Sequence, residues 1–170
     1  MKRLTGVTLI ELLTTLAIAL IGVLLSVPSL SNLYEKARAD SAISRIQQTL
    51  LLARNQAINL NLSVSVCALE ADICTDHWEN GLVVFTDSGE PNKLDGEDKI
   101  LQQTDAFDSK DTLNYNRTSV RFQSDGLASG SNGTFKYCPG SLDNPNSRAV
   151  VVNSAGRVRR SLANDISCSN

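Results

Sequence analysis

Apolar residues follow three unlike patterns along this chain. From Leu9 to Val27 they run almost unbroken, nineteen residues that are all apolar, small or hydroxylated except Glu11. As a helix rising 1.5 Å per residue, that run spans about 28 Å, close to the hydrocarbon thickness of a bilayer. Further on, Ile43, Ile46, Leu50, Ala53, Ala57 and Leu60 recur at spacings of three and four, with Arg45, Gln48, Arg54 and Asn55 largely off the stripe. This is the period of an amphipathic helix with one buried face, most simply core packing. A single helix from about Thr8 to Asn59 is therefore predicted, with Asn59 and Asn61 as terminators and Pro28 as a point of kinking or freed backbone bonds.

After Asn61 the period changes to two. Leu62–Cys67 alternates, and Leu82–Phe85, Ile100–Leu101, Ser119–Phe122, Thr134–Tyr137 and Arg148–Val152 are further short strand candidates. Turn-forming clusters separate them, among them Asp87–Pro91, Asp95-Gly96, Asp125-Gly126, Ser129–Gly133 and Asn153–Gly156. The fold class expected is α+β: a long N-terminal helix, membrane-spanning in its first half and amphipathic in its second, packed on a small antiparallel β head. The parts are a helix over 7–28, an amphipathic continuation over 29–60 and a β-rich head over 61–170.

Composition narrows the function. The chain has 170 residues, 42% of them hydrophobic and 20% charged, which excludes both a disordered chain and a multi-span membrane protein. Its net charge of −2 excludes a globally basic nucleic-acid binder. The charge is unevenly placed, however. Glu70 to Asp111 holds twelve acids and three bases, whereas Thr112 to Asn170 holds seven bases and three acids. Local field and partner choice follow the segments, not the total.

Lys2 and Arg3 precede the apolar run, so the positive-inside rule leaves the N-terminus in the cytoplasm and sends the rest across the membrane. Glu11 is the anomaly, since a carboxylate within a bilayer costs roughly 2.5–3.5 kcal/mol on insertion scales and calls for a partner. The run Met-Lys-Arg-Leu-Thr-Gly6, then Val7-Thr8-Leu9-Ile10-Glu11-Leu12-Leu13, resembles the class III signal of type IV pilins and type II secretion pseudopilins. In those proteins a prepilin peptidase cuts after the Gly and methylates the new amine. The resemblance implies a leader over 1–6, cleavage after Gly6, an N-methylated Val7 (where Phe is usual) and an assembly role for Glu11. Glu11 would pair with the freed amine of a neighbouring subunit in the filament core, where opposite charges in low dielectric attract strongly and fix register.

Cys67, Cys74, Cys138 and Cys168 all lie beyond the membrane segment. An even count in an exported head favours two disulfides, of which sequence allows three connectivities. Proximity favours Cys67–Cys74 and Cys138–Cys168, the latter closing a loop of about 30 residues worth about 3–4 kcal/mol in the chain-entropy model. The spacings lack the CxxC pairs of a zinc site, and His77 alone supplies no complement. No metal or other cofactor is expected.

A second resemblance covers the head. Ala53–Ala57, Val64–Cys67, Trp78–Asp87, Ile100-Leu101 and Gly156-Arg157-Val158-Arg159 follow in the order seen in GspH/FimT-type minor pilins. That family is non-enzymatic and assembles with other pilins or pseudopilins at filament tips, first held in the inner membrane and then in the extracellular pilus. Its FimT branch is linked to DNA uptake in natural transformation and uses a C-terminal Gly-Arg-x-Arg sequence to bind DNA. By that resemblance Arg157 and Arg159, with Arg160 and Arg148 near them, are the candidate DNA-binding residues. Forked guanidinium groups suit phosphate oxygens, and no aromatic interleaves with them, so binding is expected to be independent of sequence. With about three phosphates neutralised, log K against log salt should slope near −2.7 on duplex DNA. The competing readings are a minor pilin that primes assembly or adhesion without DNA, and a type II secretion pseudopilin.

Other chemistry fades. Asp87, Glu90, Asp95, Glu97 and Asp98 do not follow EF-hand spacing and are expected to form a solvated loop. His77 has no identifiable nucleophile or carboxylate at catalytic spacing, and Trp78 is expected to anchor the core at the start of a strand.

Overall fold

The computed structural model describes residues 8–163 and 165–169, and the side chains of these residues except 23–29. The predicted leader and the processing residues Gly6 and Val7 lie outside the described residues. The chain divides into two compact units, 1–35 and 36–170.

Helix α1 (Leu9–Leu60) begins on Thr8. The Thr8 hydroxyl accepts the Glu11 N–H at 3.3 Å, and the Thr8 carbonyl accepts the Leu12 N–H at 3.2 Å. Thr8-Leu9-Ile10-Glu11 thus has the sequence form of a capping box, and Glu11 sits where an acid complements the helix dipole. In the first unit the side chains of Leu9, Ile10, Leu12, Leu13, Leu16 and Ile18 are all exposed. Among the described residues no helix is long and apolar enough to cross a membrane; residues 23–29 of the Leu9–Val27 run fall outside the side chains described.

In the second unit α1 buries the stripe that its period predicts. Ile43, Ile46, Leu50, Ala53 and Ala57 are all buried, and Ala39 and Ala42 extend that buried face toward the N-terminus. Leu60, expected on that stripe, is 43% exposed because the helix ends there, with Asn61 in a left-handed conformation at φ 52°.

Two antiparallel sheets share the core with this stripe. The first comprises β1 (Val64–Glu70), β2 (Ile73–Thr75), β3 (Val83–Thr86), β4 (Ile100–Gln103) and β6 (Val120–Phe122), in the order β2-β1-β3-β4 with β6 also on β1. The second comprises β5 (Thr112–Asn114), β7 (Gly133–Cys138), β8 (Arg148–Val152) and β9 (Val158–Arg160), in the order β5-β7-β8-β9. β2, β5 and β9 were not among the predicted strands. Each is three residues long and lies at a sheet edge, too short for an alternation to register.

Trp78 is 1% exposed in a short 3₁₀ turn before β3, edge-on to Tyr115 and Phe135 with centroids at 5.6 and 4.9 Å. Its indole N–H donates to the Arg117 carbonyl at 3.2 Å. Disulfides join Cys67 to Cys74 across the β1–β2 hairpin and Cys138 to Cys168. The second holds the C-terminal tail beside β5 and β7, where the Asn114 amide donates to the Cys168 carbonyl at 3.0 Å.

The acidic segment departs from expectation at its first residue. Asp87 is fully buried, not solvated. It accepts hydrogen bonds from the Ser65 hydroxyl, the Asn92 N–H and Arg121 Nε, the last an ion pair at 2.8 Å. A buried carboxylate survives only when paired and hydrogen-bonded, and Arg121 supplies that from a distant strand. Asp98 serves the loop itself. Burial would raise its pKa, but hydrogen bonds from the Ser88 N–H and hydroxyl, the Asp95 N–H and Thr86 outweigh burial and hold it below the ordinary aspartate value.

Candidate nucleic-acid interface

Strand alternation sorts the basic C-terminal residues onto two faces of the second sheet. Successive side chains of a strand point to opposite faces. Phe135, Tyr137, Val150, Val152 and Val158 are buried on the inner face. By the same parity Thr134, Lys136, Val151 and Arg159 belong to the outer face, where the pairings Thr134–Val151 and Val151–Arg159 set them in one row.

Arg148 and Arg160 fall on the inner face and are taken by α1. Arg148 Nε donates to Asp40 Oδ1 at 3.0 Å, an ion pair. Arg160 Nε donates to Gln47 Oε1 at 3.1 Å, and its Nη2 to the Ser44 hydroxyl at 2.6 Å. Arg157 and Arg159 flank the buried Val158 and are exposed. Among the described residues neither guanidinium has a hydrogen bond or ion pair. The four arginines expected near one another are therefore divided, two holding the helix and two left facing solvent.

The β8–β9 turn that presents Arg157 is built tightly. Asn153 accepts the Gly156 N–H on its carbonyl at 2.9 Å and the Arg157 N–H on its side-chain oxygen at 2.8 Å. Gly156 has φ +72°, and a Cβ there would lie 1.9 Å from the Gly126 carbonyl oxygen. Both the backbone angle and the close approach require glycine. The Gly126 carbonyl also accepts Arg54 Nε from α1 at 3.1 Å, and the Ala128 N–H donates to the Ser154 carbonyl at 3.0 Å. The glycine thus lets two loops and a helix meet, and the arginines after it project from a braced edge.

At the other end of the sheet, charge is used to fasten α1. Arg38 pairs with Asp108 at 3.0 Å and with the fully buried Asp111 carboxylate at 2.7 Å. Asp111 also accepts the Tyr137 hydroxyl and the Gly140 N–H. Burial, followed by this bond to a carboxylate, pushes the Tyr137 phenol well above its ordinary pKa. His77 lies apart from all of these, with its Nδ1 2.8 Å from Glu70 Oε1. That hydrogen bond and the charge of Glu70 raise the imidazole above 6.5. The pair is exposed.

This architecture is shared with solved structures. The type IV minor pilin FimU of Pseudomonas aeruginosa superposes with a TM-score of 0.63 at 20% identity, covering 79% of this chain and 98% of that one. The minor pseudopilin EpsH from the Type 2 Secretion System of Vibrio cholerae superposes with a TM-score of 0.52 at 18% identity, covering 73% and 96%. At such identities the likeness establishes the type IV pilin-like fold alone. No curated protein sequence matches the chain. The family model described as "Type II transport protein GspH" matches residues 42–156, from the buried stripe of α1 to the glycine of the β8–β9 turn. On that match the chain belongs to the GspH family.

Proposed function

We propose that this protein is a non-enzymatic minor pilin that enters a type IV pilus at or near its tip and binds extracellular DNA through Arg157 and Arg159 for uptake in natural transformation. The observation that carries the DNA reading is the pair of solvent-facing guanidinium groups on the β8–β9 edge, unpartnered among the described residues and set on a turn that only glycine can make. Guanidinium forks match phosphate oxygens, and many copies or a tethering filament raise the avidity of a weak site. With Arg148 and Arg160 engaged by α1, the two free arginines account for a salt slope near −1.8.

Assembly is the other half of this reading. The prepilin peptidase removes residues 1–6 and methylates Val7; the apolar first half of α1 then holds the protein in the inner membrane, with its head in the periplasm. In the filament, other pilins cover the exposed Leu9, Ile10, Leu12 and Leu13, and Glu11 neutralises the amine of an adjoining Val7. Mass spectrometry of the native protein should find an N-methylated chain beginning at Val7. An intact Met1, or cleavage beyond Glu11, would remove the assembly reading.

For DNA, the full chain in detergent is titrated with duplexes of unrelated sequence over a series of salt concentrations. The wild type should bind all of them alike, and the Arg157→Ala/Arg159→Ala variant should bind several-fold more weakly with a flatter salt slope. Equal binding by the two, or no binding at low salt, rejects the DNA role and leaves filament assembly. A second reading, a minor pseudopilin of type II secretion, is favoured by the description of the matching family model; it predicts that result.

A further inference from the structure

A second cluster of donors lies where the β5 edge of the second sheet meets β6 of the first. A cavity of about 480 Å³ is lined by Arg117, Arg121, Asn92, Asn116 and Ser129, among others, all polar or glycine. No carboxylate lines it among the described residues. The charge of Arg121 is already offset by Asp87 at 2.8 Å. Arg117 is exposed, donates from Nε to the Asn132 carbonyl at 3.1 Å, and has no ion pair among the described residues. A pocket rich in donors, with one uncompensated guanidinium and no acid, has the chemistry of an anion site.

Its position ties it to the outer face. The register Asn114–Lys136 and Leu113–Tyr137 of β5 and β7, continued two residues, sets Asn116 opposite Thr134. The Asn116 side-chain oxygen accepts the Thr134 N–H at 3.4 Å. Arg159, Val151, Thr134 and Asn116 therefore lie in one row across four chain segments. Three strand spacings make that row about 14 Å long, roughly four base-pair rises of duplex DNA. No acid lies in the row. Lys136 shares the face, but it lines another cavity together with Asp165 of the C-terminal tail.

We propose that the pocket at Arg117 and Arg121 binds a further phosphodiester group of the same DNA backbone that Arg157 and Arg159 hold, so that the ligand crosses the outer face of the second sheet from β9 to the far edge of β5. This rests on the DNA reading above. It restores about three neutralised phosphates and a slope near −2.7, with Arg117 as the third cation in place of Arg148 and Arg160.

The test uses the full chain in detergent and the same duplexes. Arg117→Ala removes one exposed hydrogen bond and leaves the Trp78 bond, which goes to a backbone carbonyl. Asn116→Asp keeps the acceptor for Thr134 and adds a negative charge to the row. Both variants should melt as the wild type does and bind several-fold more weakly, and Arg117→Ala should flatten the salt slope by about 0.9. If Arg157→Ala/Arg159→Ala weakens binding while both of these variants bind with the wild-type affinity and slope, the second site is wrong and the DNA reading stands. If no variant, including the Arg157/Arg159 pair, changes binding, both fall together.

Discussion

The two faces of the β5-β7-β8-β9 sheet use the same residue type for opposite ends. On the inner face Arg148 and Arg160 spend their donors on Asp40, Gln47 and Ser44 of α1, beside Phe135, Tyr137 and Val150 of the core. On the outer face Arg159, one residue from Arg160, has no partner among the described residues. Strand parity alone separates them. A basic cluster in sequence is thus two half-clusters in space, one structural and one available, and a charge count cannot tell them apart.

Substitutions on the two faces should therefore differ in kind. The largest effect is expected from Phe135→Ala on the inner face. Phe135 is fully buried, stacked on Tyr115 at 4.1 Å and edge-on to Trp78, so thermal or denaturant unfolding should register a loss of roughly 3–5 kcal/mol. Gly156→Ala comes next, because it strains the backbone and drives a methyl into the Gly126 carbonyl. About 2–3 kcal/mol is expected by the same measurement, and DNA binding should weaken as the turn shifts. A Gly156→Ala protein as stable as the wild type would show that the turn is not braced as described.

Smaller effects sharpen the contrast. Arg148→Ala breaks a partly exposed pair with Asp40 and should cost at most about 1 kcal/mol. Arg159→Ala should leave stability within about 0.5 kcal/mol while weakening DNA binding, the reverse of Arg148→Ala. Were the two to lower stability equally, the division of faces would be wrong. The smallest effect lies off this sheet. His77 should titrate by NMR above 6.5 and return toward that value in Glu70→Gln. A raised folded-state pKa means that this pair's contribution is fully present below pH 6.5 and is lost as pH rises through the folded value.

Much of the fold is legible because it rests on local periodicity. The spacing of Ile43, Ile46, Leu50, Ala53 and Ala57 gives the buried side of α1, and Arg148–Val152 is a strand with the predicted bounds. The short sequence separation of Cys67 from Cys74 and the position of Cys168 at the chain end favoured the disulfides that form. Edge strands such as Thr112–Asn114 escape, because three residues carry no usable alternation and their partner in β7 lies some twenty residues away. The capping form at Thr8 and Glu11 was present in the sequence as Thr-x-x-Glu, overshadowed there by the oddity of a carboxylate in an apolar run.

The candidate site divides along the same line. The turn at Gly156 was readable because turn residues are a local property, and the arginines after it stood out through the Gly-Arg-x-Arg resemblance, whereas the three-residue strand that aims them was not. Arg117 and Arg121 were not, because nothing within a few residues links them to Arg157; the pairings of β5 with β7, β7 with β8 and β8 with β9 span the sheet, and Arg121 arrives from β6 of the other sheet. The burial of Asp87 was equally hidden, since its counter-charge is 34 residues distant. Covalent neighbours and helical or strand periods determined most elements of this protein, from the buried stripe of α1 to the strand Arg148–Val152. Tertiary packing alone decided which charges neutralise one another and which remain for a ligand, because Coulomb and hydrogen-bond partners are chosen by distance through space.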